Sequence, residues 1–478
     1  MRERQIYLLS PKTLSPEVIA VAFAKTSRSP ESFREIAAEL TESASAQFHE
    51  RWVVGYGHAS VAEHAVLHIA VENASRLALE CLESNRLASY TEKSTRYQMW
   101  GPDDFYVPGQ IAESGQAELY RATCRRLFSA YERSLGPARE WVHAHHPRRA
   151  GETDAKWDGR VRSKYVDNSR FLLPAAALAN VGVTANARTL EAAIRKLLSH
   201  PLAEVREIGA EIKRVAQAEV PTLVKYADAV PYQIETAAAL TQAARSLLGA
   251  APAARPGGGA AAELVDFDPE AEAKFLAACL YRHGHASLAD CRAVVAGLDA
   301  AQRADLAREA LGRLGPHDVG LRELEHVTYT FDLTLDQGGY FEIKRHRMMT
   351  LSPQPLTATL GYATPRLLEA AGFGADYRAA MDAAAEAYAG LAADFPEAAS
   401  YVVPNGFNRR VLVTLNLRQA FHLCELRSAP NAHFSVRRTA GQMAEAIRRV
   451  HPGLAQYMRL AERPDWRDLE AEYFSAVA

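Results

Sequence analysis

Val327-Thr328-Tyr329-Thr330-Phe331-Asp332-Leu333-Thr334-Leu335 places apolar and polar side chains on strictly alternating positions. A period of two sends successive side chains to opposite faces of an extended chain, so the segment predicts a half-buried strand. Glu325-His326 precedes it, and the same dipeptide, Glu63-His64, leads into the apolar run Ala65 to Val71 (325 − 63 = 262 positions earlier). Downstream the two regions stay in step. Arg170-Phe171-Leu172-Leu173-Pro174 is followed by Asn186-Ala187-Arg188-Thr189-Leu190 (186 − 174 = 12), and Tyr401-Val402-Val403-Pro404 by Asn416-Leu417-Arg418-Gln419-Ala420 (416 − 404 = 12). Helical periodicity follows in both, as in Ala432 to Val450, where Val436, Met443, Ala444, Ile447 and Val450 recur on one face. The chain therefore reads as a tandem of two diverged copies of one unit.

The reading assigns residues 1–235 to the first copy, 236–262 to an Ala/Pro/Gly linker and 263–478 to the second. Each copy opens with a short apolar segment, Ile6-Tyr7-Leu8-Leu9 or Leu264-Val265-Asp266-Phe267. A helix start comes next, Ser15-Pro16-Glu17 or Asp268-Pro269-Glu270. Strand, helices, strand, helix and a helical C-terminal half give an α+β pattern, expected as a small, mostly antiparallel sheet with packed helices in each copy. The string Gly-His-Ala-Ser occurs at 57–60 and 284–287, but only the first occurrence falls in the repeat register. Residues from about His145 to Lys164 read as an irregular surface insertion.

Formal charge is −2 and 48% of residues are hydrophobic, so two full cores can be buried and no global basic field attracts nucleic acid or a membrane. Five cysteines, an odd number without CxxC spacing, argue against a disulfide framework or a metal finger. A reducing cytoplasm is the expected compartment, and the N-terminal residues lack the apolar run of a signal peptide. His143-Ala144-His145-His146 lacks an acid or cysteine at ligand spacing and reads as an incidental cluster.

Neither GxGxxG after a strand nor GxxxxGK[ST] occurs, so a bound nucleotide must be met by side chains. Arginine suits that task, because its planar fork stays charged and can hold two phosphate oxygens. The candidates are Arg96, Arg170, Arg345, Arg347 and Arg427.

Joined, Arg345-His346-Arg347 and Glu92-Lys93-Ser94-Thr95-Arg96-Tyr97 form a motif that resembles the signature of the flavin-dependent thymidylate synthases, the ThyX family. The resemblance implies FAD contacts from Arg345, His346 and Arg347, where the first copy has Ser84, Asn85 and Arg86. It implies dUMP contacts from Glu92, Ser94 and Arg96, where the second copy has Pro353 and Pro355. Arg170, replaced by Ser400 in the second copy, would anchor the phosphate, and Arg427 would touch the pyrimidine ring, with Lys196 as its counterpart across a one-residue gap. His58, Ser60 and Glu63 would lie against the flavin, as would the helix-opening Asn186 and Asn416. Arg427, Ser94 and Arg170 are the residues expected to carry catalysis.

The implied reaction moves a one-carbon unit from methylenetetrahydrofolate to dUMP, with FAD as cofactor and NADPH as co-substrate, in a homodimer that forms a pseudo-tetramer. Each copy keeps what the other lost, which fits a composite site; decay of both copies after loss of activity is the competing account. A relative acting on another pyrimidine nucleotide, or a non-catalytic nucleotide-binding scaffold, are the other readings. Two departures bear on the site: Thr91 replaces the usual asparagine, and Cys81 or Glu342 stands where glutamine is common.

Overall fold

A computed structural model describes residues 7, 9–25, 29, 31–55, 59–97, 100–249, 261–461 and 463–475. It resolves two antiparallel sheets with helices packed on them, the α+β architecture expected for each copy. Compact unit 1 takes in Met1–Gln98, Asp104–Glu113 and Ala176–Pro252; unit 2 takes in Met99–Asp103, Ser114–Ala175 and Ala253–Ala478.

Unit 1 is built on β1 (Val66–Ser75), β2 (Ala88–Glu92) and β3 (Leu178–Asn186), in the order β1-β3-β2. Strand β1 carries a bulge between Val71 and Ala74, where Asn73 sits at φ +55° and donates its N–H to Asn180 Oδ1 at 3.0 Å. Asparagine tolerates that left-handed geometry better than most residues, so the extra residue is absorbed without breaking the ladder. The Arg76–Glu83 helix follows β1, and the Ala187–Leu198 and Ala203–Ala216 helices follow β3.

Unit 2 is built on β4 (Ala261–Phe267), β5 (Thr328–Asp336), β6 (Thr350–Pro353) and β7 (Asn408–Asn416), in the order β4-β5-β7-β6. The alternating segment of the sequence is β5. Tyr329, Phe331, Leu333 and Leu335 face inward and are fully buried, each contributing about 1.5–3 kcal/mol relative to exposure. The Phe434–Val450 helix packs across β4 and β5 and buries Val436, Met443, Ala444 and Ile447. The second Gly-His-Ala-Ser string ends in Ser287, whose side chain caps the Leu288–Gly297 helix.

Residues 114–175 belong to the first copy by sequence yet pack within unit 2. The Ala117–His145 helix runs antiparallel to the Asp154–Ser169 helix and packs on the Gly374–Ala392 helix of the second copy. At the end of this layer the two proline segments meet reciprocally. Ala175 N–H donates to Val403 O at 2.9 Å, and Asn405 N–H donates to Leu173 O at 3.0 Å. Gly406 lies in the crossing, where a Cβ would stand 2.7 Å from the Tyr377 hydroxyl and 2.9 Å from the Met381 methyl, so a side chain there would displace one or both.

Two expectations need correction. The stretch from His145 to Lys164 is not irregular throughout, because Thr153 accepts a hydrogen bond from Lys156 N and starts a helix at Asp154. In the second copy the helix begins at Ala271 rather than at Pro269, because Asp268 first accepts from Glu270 N in a tight turn at 2.9 Å. Residues 250–260 of the expected linker, with Gly257, Gly258 and Gly259, lie outside the described residues; its start, from Thr236, is helical, within Pro231–Leu248, and Gly249 follows that helix at φ +66°.

Candidate active site

In unit 2 the site starts from β5. Asp336 at its end caps the Gln337–Ile343 helix through Gly339 N at 2.8 Å and also accepts from the Ser435 hydroxyl. The chain leaves that short helix at Lys344 and turns through Arg345, His346 and Arg347. His346 points inward at 4% exposure, whereas Arg345 is exposed and Arg347 half-buried. Opposite, the Leu417–Ser428 helix carries Gln419 and Arg427, eight residues apart and so on one helical face. Both touch His346: the Gln419 amide lies 3.0 Å from Nδ1, and Arg427 Nε donates to Nε2 at 2.8 Å.

Those contacts fix the charge states. A guanidinium does not give up its proton in a protein, so Nε2 of His346 must be the acceptor and Nδ1 carries the hydrogen. The Gln419 atom facing Nδ1 is its amide nitrogen, so the side-chain oxygen accepts from Nδ1–H only with the amide turned over. Burial first, then the Arg427 charge, push the His346 pKa down to about 3, which keeps the ring neutral. Arg427 Nη1 donates to Glu342 Oε2 at 3.0 Å, with both side chains 13% exposed. Burial lowers the Arg427 pKa and Glu342 opposes the shift. With Nε on His346 and Nη1 on Glu342, the guanidinium is held at two edges. Its Nη2 donors have no partner among the described residues.

Arg170 enters the same unit from the end of the Asp154–Ser169 helix and pairs with Asp167 at 3.1 Å, both side chains largely buried. His433 lies beside this pair. Its Nδ1 accepts from Ser435 N at 3.2 Å, so Nε2–H donates to the Asp167 carbonyl, also at 3.2 Å. Burial, then Arg170, lower the His433 pKa, while Asp167, Asp336 and Glu342 act the other way. The ring thus feels the charges of Arg170, from the first copy, and of Glu342, from the second.

The remaining expected site residues belong to unit 1 or are helix caps. Glu92 pairs with Arg76 at 2.9 Å, the side chains 8% and 5% exposed, so its carboxylate is committed to a buried ion pair. Ser94 is exposed and its hydroxyl accepts from Arg96 N at 3.3 Å in the turn after β2. Ser60 is exposed, Glu63 pairs with Arg188, and His58 lies outside the described residues. Asn186 and Asn416 use their side-chain oxygens to cap helices, accepting from Thr189 N at 2.9 Å and Gln419 N at 2.8 Å. His346, expected against the flavin, has both ring nitrogens engaged and could meet a cofactor only through its ring face.

Lys196 lies ten residues past its helix cap Asn186, and Arg427 eleven past Asn416, so the two are counterparts only with a one-residue offset. Lys196 Nζ donates to Ser84 Oγ at 2.7 Å and to Asn85 Oδ1 at 2.9 Å, and burial lowers its pKa. Sequence reasoning placed Lys196 opposite Arg427 but missed that Glu342 is the partner of Arg427, and it missed Gln419 and His433. The eight-residue spacing from Gln419 to Arg427 could have revealed the first of these. Histidine is an uncommon N-cap, so nothing marked His433. Among the histidine cluster, His143 bonds Asp158 at 3.2 Å and His145 stacks on Trp141, and no metal-holding group occurs among the described residues.

The family model described as "Thymidylate synthase complementing protein" matches the chain twice, over residues 9–222 and 232–453. A UPF0159 protein of Chlamydia muridarum (strain MoPn / Nigg) is 31% identical over 442 residues, covering 89% of this chain and 82% of its relative. A flavin-dependent thymidylate synthase of Thermococcus kodakarensis is 32% identical over 149 residues, covering 30% of this chain and 51% of that protein. The crystal structure of flavin-dependent thymidylate synthase ThyX from Helicobacter pylori, complexed with FAD and dUMP, matches at a TM-score of 0.32 and 19% identity, over 42% of this chain and all of that one.

Proposed function

The chain belongs to the thymidylate synthase complementing protein family as a tandem, and on that premise we propose that it is a flavin-dependent methyltransferase acting on a uracil nucleotide. The observation that carries the reading is Arg427, a largely buried guanidinium held by His346 and Glu342 with its Nη2 donors unclaimed. Unit 2 gathers it with Arg170 from the first copy, which supports a site composed from both.

In this reading Arg427 presents preset N–H donors to a pyrimidine carbonyl edge. Donors set in advance need no reorganisation as electron density builds on the ring, the condition under which such contacts lower a barrier most. Arg170 anchors the nucleotide phosphate, and orientation of that kind can be worth several kcal/mol, on the order of 7–11 at its limit. Ser94 and Arg96 are proposed phosphate contacts. Arg345 and Arg347, on the turn after the Gln337–Ile343 helix, are exposed or half-buried cations of the kind that hold dinucleotide phosphates, so the residues present fit FAD. The flavin, when bound, supplies the hydride chemistry; the chain's own groups bind and orient. Methylenetetrahydrofolate as one-carbon donor, NADPH as reductant and a homodimeric pseudo-tetramer complete the proposal.

The test is the absorbance spectrum of the purified protein with and without dUMP. Bound oxidised flavin whose bands move on adding dUMP supports the reading. Protein that is colourless and takes up no FAD sinks it. Turnover on dUMP, UMP and dCMP with methylenetetrahydrofolate and NADPH then identifies the nucleotide.

A further inference from the structure

We propose that Glu342 is a positioning and specificity residue: with His346 it clamps Arg427, and its carboxylate offsets the guanidinium charge so that the edge Arg427 meets is uncharged. The inference rests on the uracil-nucleotide reading above and adds to it which form of the ring the site accepts.

Three observations carry it. The clamp uses one neutral and one anionic acceptor, His346 Nε2 at 2.8 Å and Glu342 Oε2 at 3.0 Å, on a side chain 13% exposed. A carboxylate at that distance in a largely buried setting offsets most of the field of Arg427, while the neighbouring Arg345 is exposed and screened by water. The first copy supplies an internal control. Its cation, Lys196, is also held by two acceptors, Ser84 and Asn85, but both are neutral, and Cys81 stands at the position of Glu342. Two-point clamping is therefore common to both copies, and the acid is particular to the second.

A guanidinium so compensated still donates from Nη2, which suits the neutral carbonyl of a pyrimidine. Without the acid the same donors would favour a ring that carries negative charge. Glu342→Gln keeps an acceptor for Nη1 and removes the charge; Glu342→Ala removes both.

The experiment measures binding of dUMP and of its 6-hydroxy analogue, whose barbiturate ring is an anion at neutral pH, by calorimetry on the purified full chain. The wild type should prefer dUMP. Glu342→Gln should keep dUMP affinity within about threefold yet shift the ratio toward the anionic analogue by about tenfold or more, as expected for one uncompensated charge at close range. Glu342→Ala should show the same shift in ratio and, in addition, weaken dUMP by about tenfold, with circular dichroism unchanged, from loss of the charged hydrogen bond. An unchanged ratio in Glu342→Gln overturns the charge-offset role, and dUMP binding by Glu342→Ala equal to wild type overturns the positioning role. A wild type that binds neither ligand removes the uracil-nucleotide reading itself, a result distinct from the other two.

Discussion

Lys196 in the first copy and Arg427 in the second, one residue out of register from their helix caps, solve one packing problem with different chemistry. Each is a partly buried cation held by the short helix after β1 or β5, or by the turn that follows that helix. Lysine offers a point charge and settles on two neutral oxygens; arginine offers a plane with several edges and can be held while still presenting donors. The comparison teaches that one strut can be built with or without a presented edge: both cations are clamped at two points, and only the arginine has donors left over among the described residues.

The comparison breaks most sharply at Arg427. Arg427→Ala should lower kcat by about a hundredfold to a thousandfold, as removal of a fixed donor to developing charge typically does, while FAD stays bound. Lys196→Ala should leave turnover within a few-fold. Loss of flavin from the Arg427 variant, or equal losses from both, would reverse the assignment of working and resting copies.

A second contrast is energetic. In the first copy the Ser75 hydroxyl donates to Glu204 Oε2 at 2.6 Å; in the second the acid is Asp336 and the hydroxyl is Ser435. Equivalent positions have exchanged acid and alcohol across the same helix contact. Glu204→Ala and Asp336→Ala should each cost about 2–3 kcal/mol, because each leaves a buried hydroxyl without its charged acceptor. The double exchange Ser75→Asp with Glu204→Ser should recover most of that in denaturant titrations. A double variant no better than Glu204→Ala would mean the two contacts are not interchangeable.

Acid stability gives a third. Burial holds His346 at about 3 and His200 of the first copy at about 4, both below the ordinary 6.5. Their folded values are lowered, so the unfolded chain binds protons first. The stability each contributes is complete above about pH 6.5 and is lost as pH falls toward those folded values, at up to about 1.4 kcal/mol per pH unit per group. His346→Asn, which installs the residue the first copy uses, should make the loss shallower between pH 6 and 4 when unfolding is followed by calorimetry at stepped pH.

The smallest effect concerns the asparagines. Asn186→Ala and Asn416→Ala should each cost about 1 kcal/mol as helix caps, with flavin affinity unaltered. A drop in flavin affinity in either variant would give that asparagine a binding role as well.

What was legible in the sequence had a local rule behind it. Strand β5 is written in the alternation of apolar and polar residues from Val327 to Leu335. The pairing of Ser75 with Glu204 was invisible, because each residue alone reads as an ordinary polar position and the pair spans 129 positions. So was the packing of residues 114–175 with the second copy's helices. Sequence order places them in the first copy, and an apolar helix face does not encode whose face it will meet. In the candidate site, Arg170, Arg345, Arg347 and Arg427 stood out as arginines able to hold phosphate, and the resemblance to the ThyX signature added His346. The engagement of both His346 nitrogens and the burial of Glu92 against Arg76 depend on tertiary contacts with no local signature.

The reciprocal bonds between Leu173–Ala175 and Val403–Asn405 are of the kind that two separate protein molecules make across a twofold axis. Here both segments sit on one chain, so their meeting is a unimolecular event governed by a fixed effective concentration. Dilution to nanomolar protein, which dissolves an ordinary dimer, leaves this contact and the arginine and histidine side chains it supports in place.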